Sequence, residues 1–525
     1  MTQGQAAVSL RATTAAFAVG AFCVLGFAPF NSHLPVWPVP ALALGGLFLL
    51  LRKASSARAA MLLGLAWGAG CFLFGVSWVY VSLSQFGGMA PPAAAAATLL
   101  FCLYLALFPA LAGALFQRWR RGTLHDALLF AGLWTLSEWL RGTLFTGFPW
   151  LAVGYSQSPP SPLAGWASVL GVYGVGFFVA LIGALLFCGW RKPRVWVTVL
   201  LLLGGGGLLR AMDWTQPAGP PVTVSLLQGN VPQSLKWDPD RLPLSVDTYL
   251  RLAGKHPAAI TVLPETALPL FFSEVPRDVL RGLTRHGDAL IGVAVGTTDG
   301  GYTNAAVALT PELKAKAYAK RHLVPFGEYA PPGFAWFFRF ARIPMSNFTA
   351  GPVRQDPLDI GGQRIAANIC YEDLFGEELL DALPAATLLV NLSNTAWFGD
   401  SLAQPQHLQI AQLRAIETGR VMLRATNTGM TAMVNPDGRI TAALAPFATS
   451  ALVVQAQGRS GLTPYARWGN LLALLIAFAA CLQRGTNARA CRPPGRWSAK
   501  AGPSPSARRR ENGAPRGSRG GSPPA

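Results

Sequence analysis

The chain has 525 residues, of which 51% are hydrophobic and only 13% charged. Its apolar runs of about 20 residues, each long enough to cross a bilayer, exclude an ordinary soluble protein. The formal charge of +19 does not point to nucleic acid, because much of it sits in a Pro/Gly/Ser-rich tail running from Arg484 to Arg519, a composition that stays solvated and is drawn to anionic lipid.

In chain order, window hydropathy predicts spans near 13–30, 36–51, 59–82, 92–116, 125–142, 163–189, 194–210 and 467–483, about eight in all. The first is followed by FNSHLPVW without a small-residue cleavage site, so it is expected to be a retained anchor. Basic residues fall in alternate loops, at Arg52, Lys53 and Arg58, then Arg118, Arg120 and Arg121, then Arg191, Lys192 and Arg194, whereas the intervening short loops hold only Arg141. The positive-inside rule makes the basic loops cytoplasmic and places the chain beyond residue 220 on the opposite, outward side. The expected organisation is a transmembrane bundle over 1–212 (about seven helices), an extracytoplasmic domain over 220–458, a last transmembrane helix over 459–484, and a disordered basic tail over 485–525.

Within the outward domain, VTVSLLQGN (222–230), AAITVLPET (258–266), ALIGVAV (289–295), TNAAVALT (303–310), AYAKRHLVPF (317–326), RIAANICYED (364–373) and TLLVNLSN (387–394) read as strands. VPRDVLRGLTRHG (275–287) and QHLQIAQLRAIETGR (406–420) carry helical periodicity. A later strand, VMLRATNTG, precedes a hairpin turned at Pro436, Asp437 and Gly438. The pattern predicts an α/β layered domain.

Three strand segments end on chemistry: Glu265 after TVLP, Lys320 after AYA, and Cys370 after RIAANI. Side chains just past the C-terminal ends of buried strands collect at one rim, where open sheets hold their sites. A carboxylate, an ammonium and a thiol brought together there supply a proton acceptor, a positive stabiliser and a nucleophile. The remaining cysteines fall in spans (Cys23, Cys71, Cys102, Cys188, Cys481) or in the tail (Cys491), so Cys370 is the outward domain's solitary thiol. Each of the three also fits a bland role: a buried structural cysteine, a turn-capping acid, a surface charge. Tyr371, Glu372 and Asp373 fit the acidic first turn of a helix. His256, His286, His322 and His407 form no H-x-x-H or H-E-x-x-H pair, and no metal or other cofactor is expected.

LPETALP, KRHLVPFGEY and NICYEDLF, in that order and at domain-scale spacing, resemble the nitrilase superfamily. The resemblance implies a four-layer α-β-β-α sandwich over 220–458, with Glu265 as general base, Lys320 as oxyanion stabiliser and Cys370 as nucleophile. Glu328 of VPFGEY would help to position them, and Tyr371 and Glu372 would support the nucleophile. With LQGNVPQSLKWDP (227–239), TGFPWLAVGYSQ (146–157) and VNLSNTAWFGDS (390–401), the whole architecture is similar to the apolipoprotein N-acyltransferase family, the membrane-embedded branch. Leu263 stands where members often carry a tryptophan.

That likeness implies transfer of a fatty acyl chain from a phospholipid, through a cysteine thioester, to the N-terminal diacylglyceryl-cysteine of an apolipoprotein. It also implies residence in a bacterial inner membrane, with the tail cytoplasmic. The rival is a membrane-tethered amidase acting on small amides with water as acceptor. Shielding a thioester from water calls for apolar flaps; Trp237, the segment 335–345, and Trp397 with Phe398 are the candidates, hydrophobic core being their other reading. Glu138 and Arg141 sit at i,i+3 near membrane depth and are expected to pair with each other rather than line the lipid's path.

Overall fold

The computed structural model describes residues 9–32, 35–122, 125–233, 242–333 and 347–482. Each predicted span window contains one main helix: α1 (Leu10–Cys23), α2 (Val39–Lys53), α3 (Ala57–Gly75), α4 (Pro91–Trp119), α5 (His125–Arg141), α6 (Ala167–Gly189), α7 (Pro193–Ala211), and, beyond residue 458, a helix at Leu471–Leu482. By length and composition, four described helices are able to cross a membrane: α3, α4, α6 with its preceding turn (Pro162–Gly189), and α7. A helical membrane part is therefore present, and the other four windows hold shorter helices.

Glycine lets these helices close on one another. A Cβ at Gly20 of α1 would stand 1.9 Å from the Trp67 carbonyl oxygen of α3, and one at Gly70 of α3 would stand 2.1 Å from the Phe17 carbonyl oxygen of α1. Small residues at such crossings replace the hydrophobic drive that lipid cannot supply.

The chain between α7 and the last helix is built on two main sheets. The first runs β13 (Ser450–Ala456), β1 (Val222–Gln228), β2 (Ile260–Val262), β4 (Asp288–Gly296), β5 (Tyr302–Leu309), β6 (Ala315–Ala319), with the short β3 (Leu268–Phe271) also on β4. The second runs β12 (Ile440–Ala443), β11 (Ala432–Val434), β10 (Met422–Thr426), β9 (Leu388–Ser393), β8 (Gln363–Ile369), β7 (Leu358–Ile360). Val224, Leu226 and Leu290 of one sheet meet Ile365, Ile369, Val390 and Leu423 of the other in a shared core. On the outer face of the first sheet, Ile291 and Val293 pack with Tyr249 and Leu252 of α8 (Leu242–Lys255) and Leu280 and Leu283 of α9 (Arg277–Leu283). On the outer face of the second, Leu389 and Met422 pack with Leu408, Ala411 and Ala415 of α10 (Ala403–Thr418). The layers are therefore α-β-β-α, and strands covered on both faces explain the near-continuous apolar runs.

Boundaries depart most from the sequence reading in three places. The strand expected over 258–266 is confined to Ile260–Val262. The helix expected over 275–287 occupies Arg277–Leu283. The strand expected over 317–326 stops at Ala319, because the Arg321 and His322 amides turn away from the sheet to donate to the Glu372 carboxylate, at 2.8 and 3.1 Å.

Candidate active site

β1, β2 and β4 run parallel, as do β8, β9 and β10, and β6 shares the direction of β4 through two antiparallel steps. Glu265 follows β2, Lys320 follows β6 and Cys370 follows β8, so all three reach the C-terminal rim, as the sequence pattern predicted. They are buried there, at 7%, 1% and 8% exposure.

Lys320 sits between two acids. Its Nζ lies 3.3 Å from Glu265 Oε1 and 2.9 Å from Glu328 Oε2. Asn304 of β5 ties the acids together, its Nδ2 donating to Glu265 Oε1 at 2.8 Å and Glu328 Oε1 at 3.0 Å. The other oxygen of Glu265 accepts from the Asn394 backbone N–H at 2.8 Å, and that same amide interacts with Cys370. Glu328 is fixed in turn by the Val324 N–H at 2.8 Å. Burial alone would depress the Lys320 pKa, but Glu328 and Glu265, followed by Cys370 and Glu372, reverse that and hold the ammonium firmly protonated.

Cys370 opens a tight turn, Cys370–Leu374, with φ 54°. That left-handed backbone costs an L-residue roughly 1–2 kcal/mol, and such strain persists only where neighbours impose it. Burial pushes the thiol's pKa well up, Glu265 pushes it further, and Lys320 pulls it back. The resting thiol is thus protonated, and an adjacent carboxylate is chemically required to take its proton.

Glu372 joins the nucleophile turn to the lysine loop. One oxygen accepts the Ile369 N–H at 2.6 Å, and the other accepts the amides of Arg321 and His322 together with the Tyr318 hydroxyl at 3.0 Å. Burial raises its pKa to about 7, against the pull of Lys320 and these amides. Tyr371 points the other way and donates to the Gly147 carbonyl at 2.8 Å, on the loop after α5.

Trp397 and Phe398 lie where the domain meets the bundle. The Trp397 carbonyl accepts from Ser82 Oγ at 2.8 Å, its ring meets Phe86, and Phe398 packs on Trp78 with ring centroids 4.6 Å apart. Trp237 and the segment 335–345 lie outside the described residues. Glu138 and Arg141 pair at 3.9 Å, both buried; Arg141 Nη1 also donates to the carbonyls of Phe148 and Trp150 at 2.6 Å, and Glu138 Oε1 accepts the Val153 N–H. The pair braces the loop that receives Tyr371.

Asn304, Asn391 and Asn394 were missed by sequence reasoning. Asn391 Nδ2 donates to the Cys370 carbonyl at 3.2 Å. For Asn304 and Asn391 the signal was there: TNAAV and VNLSN each set an asparagine inside an apolar strand, and such polar intrusions need partners. Among the described residues no group of three or more His, Cys, Asp or Glu could hold a metal ion.

A family model described as the apolipoprotein N-acyltransferase N-terminal domain matches residues 19–185, and one described as carbon-nitrogen hydrolase matches residues 223–465. An apolipoprotein N-acyltransferase of Nitrosomonas europaea is 48% identical, over 88% of this chain and 94% of its own length. Those of Ralstonia nicotianae and Chromobacterium violaceum are 43% and 46% identical, covering 89% and 88% of this chain and 92% and 91% of their own.

Proposed function

The chain belongs to the apolipoprotein N-acyltransferase family, and from that premise we propose that Cys370 carries a fatty acyl chain from a membrane phospholipid to the α-amino group of an apolipoprotein's N-terminal diacylglyceryl-cysteine. Glu265 takes the thiol proton as Cys370 Sγ attacks an ester carbonyl of the phospholipid. Lys320 Nζ faces the oxyanion that forms, a contact in which one donor is worth about 3 kcal/mol. The tetrahedral intermediate collapses, the carbon–oxygen bond breaks, and the proton on Glu265 passes to the departing alkoxide, giving a lysophospholipid. The Cys370 thioester then meets the lipoprotein's free amine. Nitrogen attacks, Glu265 accepts its proton and returns it to the leaving thiolate, and an amide and free thiol remain.

The observation that supports this reading is the buried ammonium shared by Glu265 and Glu328 beside a protonated thiol at the strand rim. Both substrates are anchored lipids, so the rim has to open at the membrane surface. Trp397 and Phe398, and beyond the described residues Trp237 and 335–345, are proposed to screen the thioester from water. We further propose about eight spans in a bacterial inner membrane, with 1–212 as the bundle, 220–458 as a periplasmic catalytic domain, 459–484 as the returning helix and 485–525 as a cytoplasmic tail.

Intact-mass measurement of the purified protein incubated with phospholipid vesicles should reveal one fatty-acyl adduct. Cys370→Ala should lack it, and a diacylated lipopeptide with a free N-terminus should discharge it. An adduct that persists in Cys370→Ala refutes the assignment, and discharge by water as fast as by lipopeptide favours an amidase instead.

A further inference from the structure

Cys370 holds its left-handed backbone directly above a buried set of charges that the proposed acyl transfer leaves unused. Asp373, three residues on in the same turn, is fully buried. One of its oxygens lies 2.7 Å from His407 Nε2 of α10, and the other pairs with Arg424 Nη1 of β10. His407 is itself 0% exposed, so it cannot touch a lipid or a peptide. Its Nδ1 has no hydrogen-bond partner among the described residues. The ring rests against Trp150 with centroids 5.3 Å apart, and Trp150 Nε1 donates to Gln406 Oε1 at 2.7 Å, one residue before His407.

We infer that His407, together with Arg424, is a positioning residue for acyl transfer: it holds the Asp373 carboxylate and thereby the strained turn that presents Cys370 Sγ. Three observations converge. The turn carries a non-glycine residue in a conformation that its neighbours must impose. The carbonyl that follows this φ is held by Asn391 Nδ2 of β9 at 3.2 Å. Asp373 lies within the turn, so its contacts with His407 and Arg424 fix the turn itself. An ordinary buried ion pair would support the fold and nothing more; here the pair is placed where a displacement of about 1 Å moves the nucleophile, an error that can cost about 100-fold in rate.

The inference rests on Cys370 as nucleophile, and the test keeps the two apart. The full-length protein, in vesicles of phosphatidylethanolamine and phosphatidylglycerol, is assayed for single-turnover acylation by intact mass, for the phospholipid KM, and for thermal unfolding. His407→Ala should lower the acylation rate by about 10- to 100-fold, with the lipid KM and the melting temperature close to wild type. His407→Gln, whose amide still donates to Asp373, should recover part of the rate. Asp373→Asn, nearly equal in volume, should show the same loss and serves if His407→Ala does not fold. Wild-type acylation in Asp373→Asn or His407→Ala overturns the inference, as does a loss that only tracks the unfolded fraction. Cys370→Ala is the control: product formed without the thiol sinks the nucleophile assignment itself, whereas an inactive Cys370→Ala beside fully active position 407 variants sinks only the positioning role.

Discussion

The Cys370 thiol is pulled in opposite directions by its two nearest charges. Glu265 raises its pKa and Lys320 lowers it, with burial the largest contribution. Replacing Glu265 by Gln removes a raising charge, so the thiolate fraction at pH 8 should increase and alkylation by iodoacetamide should speed up, even while acyl transfer collapses for want of a base. Lys320→Ala removes the lowering charge, and both alkylation and transfer should fall. Alkylation that slows in Glu265→Gln would show that the carboxylate's hydrogen bonds to Asn304 and Asn394, rather than its charge, govern the thiol. Glu265, Lys320 and Cys370 were legible because each follows an apolar strand, and Glu328 through the VPFGEY motif. The Asn394 contact was not, since what matters there is a backbone N–H, which any residue possesses. Which amide faces the site follows from strand register, and register follows from long-range pairing.

At the scale of elements, the nucleophile turn carries the strain, and buried charge gathers in that turn and on α10. Glu372 caps the nucleophile turn while gathering the lysine loop, and Glu417 near the end of α10 pairs with Arg414 at 2.9 Å and accepts the Val172 N–H of α6 at 2.7 Å. Burial raises both carboxyls to about 7, opposed by Lys320 and by Arg414 respectively. A carboxyl whose folded pKa exceeds its unfolded one adds stability fully at pH values below the unfolded pKa, near 4.5, and loses it as pH rises through the folded value. The melting temperature in detergent should therefore decline between pH 5 and pH 8. Glu417→Gln should flatten that slope, because an amide has no proton to release. A wild-type profile that is level, or that climbs over this range, contradicts the assignment of these carboxyls. The sequence showed α10 by its apolar spacing, yet its glutamate looked like any helix-surface acid. Only the bundle that covers it makes it buried.

Considered as one molecule, the two parts share a buried cluster in addition to the sandwich's own cores. Tyr371 and Leu374 of the nucleophile turn and Ile410, Leu413 and Ile416 of α10 belong to the same buried cluster as Leu44, Phe48 and Phe130 of the bundle. The polar contacts follow the same seam: Gln409 Oε1 accepts the Ala28 N–H at 3.0 Å, Gln406 Nε2 donates to the Gly75 carbonyl at 3.3 Å, and Arg414 Nη2 donates to the Tyr155 hydroxyl at 3.3 Å. Hydropathy divides the chain cleanly at about residue 220, because it measures composition along the sequence and is blind to which face of α10 meets the membrane helices. An excised 220–458 fragment would expose an apolar face studded with glutamines and with an Arg414–Glu417 pair stripped of its outer partners. Large exposed apolar patches drive association, so the fragment should elute as aggregate or give a molten far-UV and near-UV signature, and should not become acylated on Cys370 by lipid vesicles. A monodisperse, acylation-competent fragment would mean that α10 repacks without the bundle. The Gln406→Ala, Gln409→Ala double variant of the full chain probes the same seam less drastically. Its expected result is a lower melting temperature together with slower acylation, because the helix that carries those glutamines also carries His407 beneath the nucleophile turn.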